Sequence, residues 1–334
     1  MNKKIKILDA VKEKDILQAV KIIQEGNLVA VPTETVYGLA ADARNVDAVK
    51  KIFTVKNRPS NHPLIVHISS LDKLSQWATD IPPIVEVLAK NFWPGPLTLL
   101  LKKNDKVDDI ITGGLSTIAV RIPNNKPLLQ VLNLLDTGLA APSANPHKRI
   151  SPTTPEHVIA GLSGKIDAVL DDGPCNIGLE STILDLTHHN IRILRHGPIT
   201  KKMIETVIGF AIESPLIHEE SVSGNMKTHY QPYTKTSLMS LSEIETQISL
   251  LGNGEKKIGI IHYSDLKIAC EDIKTIQLSN NKEQYSKFLY HALHELDKIN
   301  ASQILVETPP HNDSWSDVFD RLLKACAVDD SSSR

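Results

Sequence analysis

Across residues 12–200, short β-rich runs alternate with stretches of helical periodicity, and this alternation restricts the chain to an α/β fold. Ile16, Leu17, Val20 and Ile23 recur at helical spacing, Gly26 closes that helix, and residues 28–31 read as a strand ending at Pro32. Helices are predicted over 45–55, 81–92 and 126–134, and strands over 64–68, 97–101 and 117–120. Residues 138–140, 181–186 and 191–194, with Val169, supply further strand material. Because these strands are joined by both helices and turns, the expected sheet is mixed.

The style changes after a polar, weakly periodic stretch at 213–235 containing Gly224 and Pro232, which reads as a linker. Beyond it, helices over 241–251, 284–299 and 318–327 alternate with strands over 257–261, 273–278 and 304–307, the pattern of a small parallel-sheet domain. With 334 residues available, the expected division is a first domain at 1–205, a linker at 206–237 and a second domain at 238–334. Residues 329–334 read as a disordered tail.

A chain with 41% hydrophobic and 23% charged residues and no apolar run of about 18 residues is expected to be soluble, cytoplasmic and free of membrane spans. Its net charge of -2 means that any nucleic-acid contact must come from a local patch. Cys175, Cys270 and Cys326 lie far apart and outside any Cys-x-x-Cys spacing, which argues against a thiolate metal site.

The chemistry is concentrated in loops flanking the first-domain strands. Val31-Pro32-Thr33-Glu34-Thr35-Val36-Tyr37-Gly38-Leu39 is expected to join a buried strand to a helix, placing hydroxyls and a carboxylate at the strand's carboxyl edge, with Thr35 available to a ligand and Glu34 available to cap the following turn. Lys56-Asn57-Arg58-Pro59-Ser60-Asn61-His62-Pro63 gathers cations and polar donors on a proline-stiffened loop, a pattern suited to phosphate or to plain solvated charge. His67 follows in the next strand, as a pocket group or a core histidine. Phe92-Trp93-Pro94-Gly95-Pro96-Leu97-Thr98 reads as a tight aromatic turn.

Gly113 and Gly114 precede Thr117, and their small size suits backbone approach to a ligand. Arg121 is placed to clamp a carboxylate or to make an ordinary ion pair. Ala141-Pro142-Ser143-Ala144-Asn145 leaves room for a nucleotide, and His147-Lys148-Arg149-Ile150-Ser151 adds basic groups and a hydroxyl. Asp171 and Asp172 are acidic neighbours of a turn, Ser181 stands where a Gly-rich turn enters a strand, and Arg195 closes the set. No P-loop, dinucleotide fingerprint or zincin motif is present, and His291 with His294 lacks obvious partners for a metal; none is assigned.

In this order, the segments resemble the YrdC/Sua5 family over about residues 10–200. After the linker, His229-Tyr230 with Pro232 is similar to that family's His-Tyr-x-Pro signature, and the last 90 or so residues resemble its long, two-domain form. The resemblance implies a YrdC-like mixed, twisted sheet with a concave nucleotide site, followed by a Rossmann-like parallel domain. It implies synthesis of L-threonylcarbamoyladenylate and pyrophosphate from L-threonine, bicarbonate or CO₂, and ATP, with Mg²⁺ carried on the phosphates and no permanent cofactor. The product would pass to a tRNA threonylcarbamoyl-transfer complex acting at adenosine 37 of ANN-decoding tRNAs, with direct tRNA contact left open.

By the same resemblance, Thr35, His67, Arg121, Ala141 and Ser181 would contact threonine. Lys56, Arg58, His62, Thr117, Ser143, Asn145, Ser151 and Arg195 would hold ATP or the adenylate, with Lys56 and Arg58 catalytic and Tyr230 of the linker covering the site. The competing reading is a double-stranded RNA-binding module without adenylate synthesis, which would show salt-sensitive RNA affinity and no pyrophosphate release.

Overall fold

A computed structural model describes residues 4–215, 220–224, 226, 228–250, 257–266 and 273–327. Cys270 and the tail at 329–334 lie outside the described residues, as does part of the 213–235 stretch. The chain forms two compact units: Met1–His147, Pro152–Asn176 and Glu180–Asn225 make the first, and Lys148–Ser151, Ile177–Leu179 and Met226–Arg334 the second.

The first unit runs β1 (Lys6–Asp9), α1 (Glu13–Gln24), β2 (Val29–Val31), β3 (Gly38–Asp42), α2 (Val46–Lys56), β4 (Ile65–His67), β5 (Ala78–Thr79), α3 (Ile84–Phe92) and β6 (Leu97–Lys103). It continues with α4 (Asp109–Thr112), β7 (Thr117–Arg121), α5 (Lys126–Leu135), β8 (Leu139–Ala140), α6 (Pro155–Leu162), β9 (Ala168–Asp171), β10 (Thr182–Asp185), β11 (Arg192–Arg195) and α7 (Lys201–Ile208). The strands form one mixed sheet in the order β1-β9-β2-β3-β8-β4-β7-β6-β10-β11, with β5 paired to β6. The helix predicted after the Pro32–Leu39 motif is corrected here: the motif leads into β3, which pairs antiparallel with β2. Thr33 closes that turn by accepting the amides of Thr35 and Val36 at 3.1 Å and donating to the Val36 carbonyl at 2.6 Å.

Strand alternation sorts the two faces of the sheet. Val66, Leu99, Leu101, Ile118, Val120, Leu184 and Ile193 enter the main core. Ile65, Leu100, Ala119, Ile183 and Leu194 point the other way and form a separate cluster closed by Val222. Between β10 and β11 the register shifts: Ile183 pairs with Arg195, whereas Leu184 pairs with Ile193. Leu194 is therefore the additional residue of a bulge.

The second unit contains β12 (Thr236–Met239), α8 (Leu241–Ser249), β13 (Ile258–His262), β14 (Ile273–Gln277), α9 (Lys282–Lys298), β15 (Gln303–Glu307) and α10 (Ser316–Cys326). Its four strands are all parallel, in the order β12-β15-β13-β14, as expected of a Rossmann-like domain. A capping box at Ser240 and Glu243 starts α8, and Asn281 caps α9. Ile244, Ile258, Ile260 and Leu305 form a core cluster of this unit.

Candidate active site

The face carrying Ile65, Ala119 and Ile183 also carries the polar groups singled out in the sequence. His67 and Arg121 are paired across β4 and β7, two residues beyond Ile65 and Ala119. Thr98 lies two residues before Leu100 on β6 and opposite Ile183, while Arg195 faces Ile183 from β11. Thr117 begins β7 on the same parity and lines a small cavity with Ile65, Leu100, Ala119, Val222 and Ser223. One sheet face thus supplies both an apolar floor and a set of buried donors.

Arg121 is held rigidly at the end of β7. Its Nε donates to the Gly95 carbonyl at 3.1 Å, Nη1 donates to Thr35 Oγ1 at 3.0 Å, and Nη2 stands 2.7 Å from Glu34 Oε1. Thr35 and Thr33 hydroxyls are 2.8 Å apart. Since Thr33 donates onward to Val36, the Thr35 hydroxyl donates to Thr33 and accepts from Arg121, giving a single directional chain. The cap alternative for Glu34 is overturned, because its carboxylate turns inward to the guanidinium. His67 is buried beside this pair, and desolvation with the nearby Arg121 charge lowers its pKa to about 3, leaving a neutral imidazole.

A second group surrounds Lys56. Asn57, in the left-handed region at φ 52°, ends α2 and turns the chain toward Arg58. The Lys56 side chain is 2% exposed, and Nζ donates to the carbonyls of Ser143 and Asn145, the latter at 2.5 Å. Burial, then the Arg58 charge, pushes its pKa well below the ordinary lysine value. Arg58 donates to the Pro63 carbonyl at 3.0 Å. His62 packs edge-on to His147 with ring centres 5.4 Å apart, and burial followed by Arg58 lowers its pKa.

Gly113, expected to let a ligand approach, instead lets the Arg58–Pro63 loop approach: at φ 63°, a Cβ there would stand 2.4 Å from the Asn61 carbonyl oxygen. Ala141 donates its amide to the Ile65 carbonyl at 3.1 Å, and Ser143 forms a bridge with Gly38, so this loop is tied to both neighbouring strands.

The third group is Ser181, Thr98 and Arg195. Ser181 and Thr98 hydroxyls are 2.7 Å apart, and Arg195 donates to both the Ser181 hydroxyl and the Ser181 carbonyl. The Trp93–Thr98 turn connects this group to the Arg121 group: Gly95 accepts from Arg121, while Pro96 accepts the Thr182 amide at 3.0 Å. Asp171 and Asp172 are occupied locally, by the Gly173 amide and the Asn125 side chain respectively.

Ser151 and Tyr230 belong to the second unit. There the Tyr230 ring stacks on Tyr290 at 6.0 Å and lies under the Arg321 guanidinium at 5.0 Å.

Residues 21–197 match the Sua5/YciO/YrdC family model, described as telomere recombination, and residues 199–327 match the C-terminal domain model of threonylcarbamoyl-AMP synthase. The chain belongs to the Sua5/YciO/YrdC family. The threonylcarbamoyl-AMP synthase of Pyrococcus abyssi is 38% identical over 96% of this chain and 96% of its own length. That of Bacillus subtilis is 37% identical over 93% of this chain and 92% of its own. A crystal structure of P. abyssi Sua5 complexed with L-threonine matches with a TM-score of 0.86 at 35% identity, covering 96% of this chain and 97% of that one.

This Sua5/YciO/YrdC member is an enzyme of the nucleotidyltransferase type. Sequence reasoning assigned no site role to Thr98 and read Glu34 as a cap, whereas Thr98 bonds the Ser181 hydroxyl and Glu34 pairs with Arg121 in this family member. The signal for Thr98 was its position at the end of an aromatic turn; nothing local linked Glu34 to a residue 87 positions away. Among the described residues, no helix is long and apolar enough to cross a membrane.

Proposed function

We propose that the chain condenses L-threonine, CO₂ or bicarbonate, and ATP into L-threonylcarbamoyladenylate and pyrophosphate. The observation that carries this reading is the single sheet face on which His67, Thr98, Thr117, Arg121 and Arg195 surround an apolar floor. An amino acid needs a fixed cation for its carboxylate, and Arg121 has no freedom to turn away. Thr35, His67, Ala141 and Ser181 complete the threonine subsite. A triphosphate needs dispersed positive charge, which Lys56, Arg58 and Arg195 supply, while His62, Thr117, Ser143, Asn145 and Ser151 contact the nucleotide. Mg²⁺ enters as part of the ATP substrate.

In this reaction the threonine nitrogen attacks carbon to form a carbamate, and a carbamate oxygen then attacks the α-phosphorus as pyrophosphate leaves. Lys56 and Arg58 are the catalytic cations, neutralising charge that grows on the phosphate oxygens. Tyr230 is assigned to the adenylate subsite, and exclusion of water there limits hydrolysis of the labile carbamate. The adenylate then serves threonylcarbamoylation of adenosine 37 in ANN-decoding tRNA through a transfer complex in the cytoplasm.

The test is pyrophosphate release with ATP, Mg²⁺ and bicarbonate, comparing threonine with serine and identifying the adenylate by mass spectrometry. Threonine-dependent release with formation of the adenylate is expected. Release indifferent to the amino acid, or RNA retention with no release, would reject the reading.

A further inference from the structure

Glu34 is 5% exposed, and neither of its carboxylate oxygens accepts a hydrogen bond among the described residues. Among the described residues its counter-charge is Arg121, whose Nη2 lies 2.7 Å from Oε1. Two of the five Arg121 N–H groups, on Nε and Nη1, are directed at Gly95 and Thr35 and fix the plane of the guanidinium, while Nη2 makes no hydrogen bond among the described residues and stays available to an arriving carboxylate. A buried carboxylate has about four acceptor positions and is costly to leave underused. A free α-amino acid carries a carboxylate and an ammonium on one carbon, the charge pattern complementary to an arginine beside a carboxylate.

We propose that Glu34 receives the α-ammonium of the amino-acid substrate while Arg121 receives its carboxylate, and that Glu34 takes the ammonium proton to start the reaction. This rests on the amino-acid reading of the site. The other titratable groups around the pair are unsuited to the task. His67, kept neutral by a pKa of about 3, offers an ammonium no counter-charge. The Cys175 thiol is pushed far up, first by burial and then by Glu34, and remains a thiol. Asp172 is bonded to Asn125 at 2.7 Å.

The step balances as an ammonium and a carboxylate becoming a free amine and a carboxylic acid. The nitrogen lone pair then forms the N–C bond to CO₂, a C=O π pair moves onto oxygen, and the second nitrogen proton leaves to bicarbonate or water. The product is a carbamate anion, and Glu34 returns its proton to solvent at turnover.

The experiment measures pyrophosphate release for wild type, Glu34→Gln and Glu34→Asp across about pH 6.5 to 9.5 at saturating ATP and threonine, with thermal melting of each variant. A positioned base contributes roughly 10²–10⁴-fold. Glu34→Gln is expected to lose about 100-fold in kcat near pH 7 and to recover steadily as alkaline solution deprotonates the amine, whereas Glu34→Asp keeps the wild-type profile at a lower rate. A Glu34→Gln profile parallel to wild type would reduce Glu34 to a positioning residue for Arg121 and overturn the proposal. Calorimetry on wild type compares L-threonine with 3-hydroxybutanoate, which lacks the amine, and holds even where a variant does not fold. At least tenfold weaker binding of the analogue is expected; equal affinity also overturns the proposal. Absence of threonine binding and threonine-dependent release in wild type would instead reject the underlying reading.

Discussion

Arg195 grips Ser181 at two points, with Nε on its carbonyl and Nη2 on its hydroxyl, each at 3.0 Å. The planar fork allows both bonds at once, while Nη1 reaches the Ser223 carbonyl at 2.9 Å. A lysine has a single ammonium and cannot reproduce this geometry. Arg195→Lys is therefore expected to lower pyrophosphate release by about 10- to 100-fold while reducing stability by only about 1–2 kcal/mol. Steady-state kinetics and urea unfolding on the same preparation separate the two effects; unchanged kinetics would remove Arg195 from the site.

Lys56 yields a prediction about protons. A neutral amine has two N–H bonds, enough for the Ser143 and Asn145 carbonyls, and burial favours that neutral form. An arriving phosphate reverses the preference and raises the pKa, so nucleotide binding takes up a proton and weakens as pH rises between the free and bound values. Calorimetry of a non-hydrolysable ATP analogue, in buffers differing in ionisation enthalpy and over a series of pH values below the ordinary lysine range, should show this uptake. Lys56→Ala is expected to abolish it and to weaken binding by about tenfold or more, roughly 1.4 kcal/mol.

His67 should make the fold acid-sensitive. Its folded pKa is about 3, against roughly 6.5 when unfolded. Between these values the unfolded chain binds a proton that the folded chain refuses, so stability falls as pH drops through the window, by up to about 5 kcal/mol. His67→Asn removes this contribution. Its acid-unfolding midpoint, followed by circular dichroism, is expected to lie about half a pH unit or more below wild type.

Gly197 has no room for a side chain. A Cβ there would lie 2.4 Å from the Thr182 nitrogen, 2.6 Å from the Ser181 carbonyl carbon and 2.7 Å from the Glu180 oxygen, all backbone atoms. Gly197→Ala is expected to cost about 2–3 kcal/mol and to displace Ser181, reducing pyrophosphate release by more than about tenfold. Urea unfolding and kinetics check both; a fully active, equally stable variant would show that the backbone can relax.

The legibility of this molecule in its sequence follows the range of the interactions involved. Residues 126–134 read correctly as a helix because Leu128, Val131 and Leu132 bury one stripe, and Asn125 caps it through the Leu128 amide. β3 escaped because Gly38-Leu39-Ala40-Ala41-Asp42 has no alternation: four of its five residues are buried on whichever face they point. β1 escaped as well, since Lys6–Asp9 has two exposed positions and takes its place by pairing with β9, more than 150 residues later. At the site, residue types and loop positions suggested charge and hydroxyls, but the pairing of Glu34 with Arg121 is set by strand order. Local pattern carries no record of that distance.

The irregularity between β10 and β11 has its own consequence. In a regular antiparallel ladder consecutive residues face opposite sides, so Leu194 and Arg195 would be divided between the two surfaces. With Leu194 inserted opposite Ile183 together with Arg195, a greasy side chain and a cation sit side by side on one surface. Deleting a single residue from this hairpin would restore an ideal ladder and evict one of them. The strand's imperfection is thus a composition device, letting adjacent letters of the chain serve the same chamber.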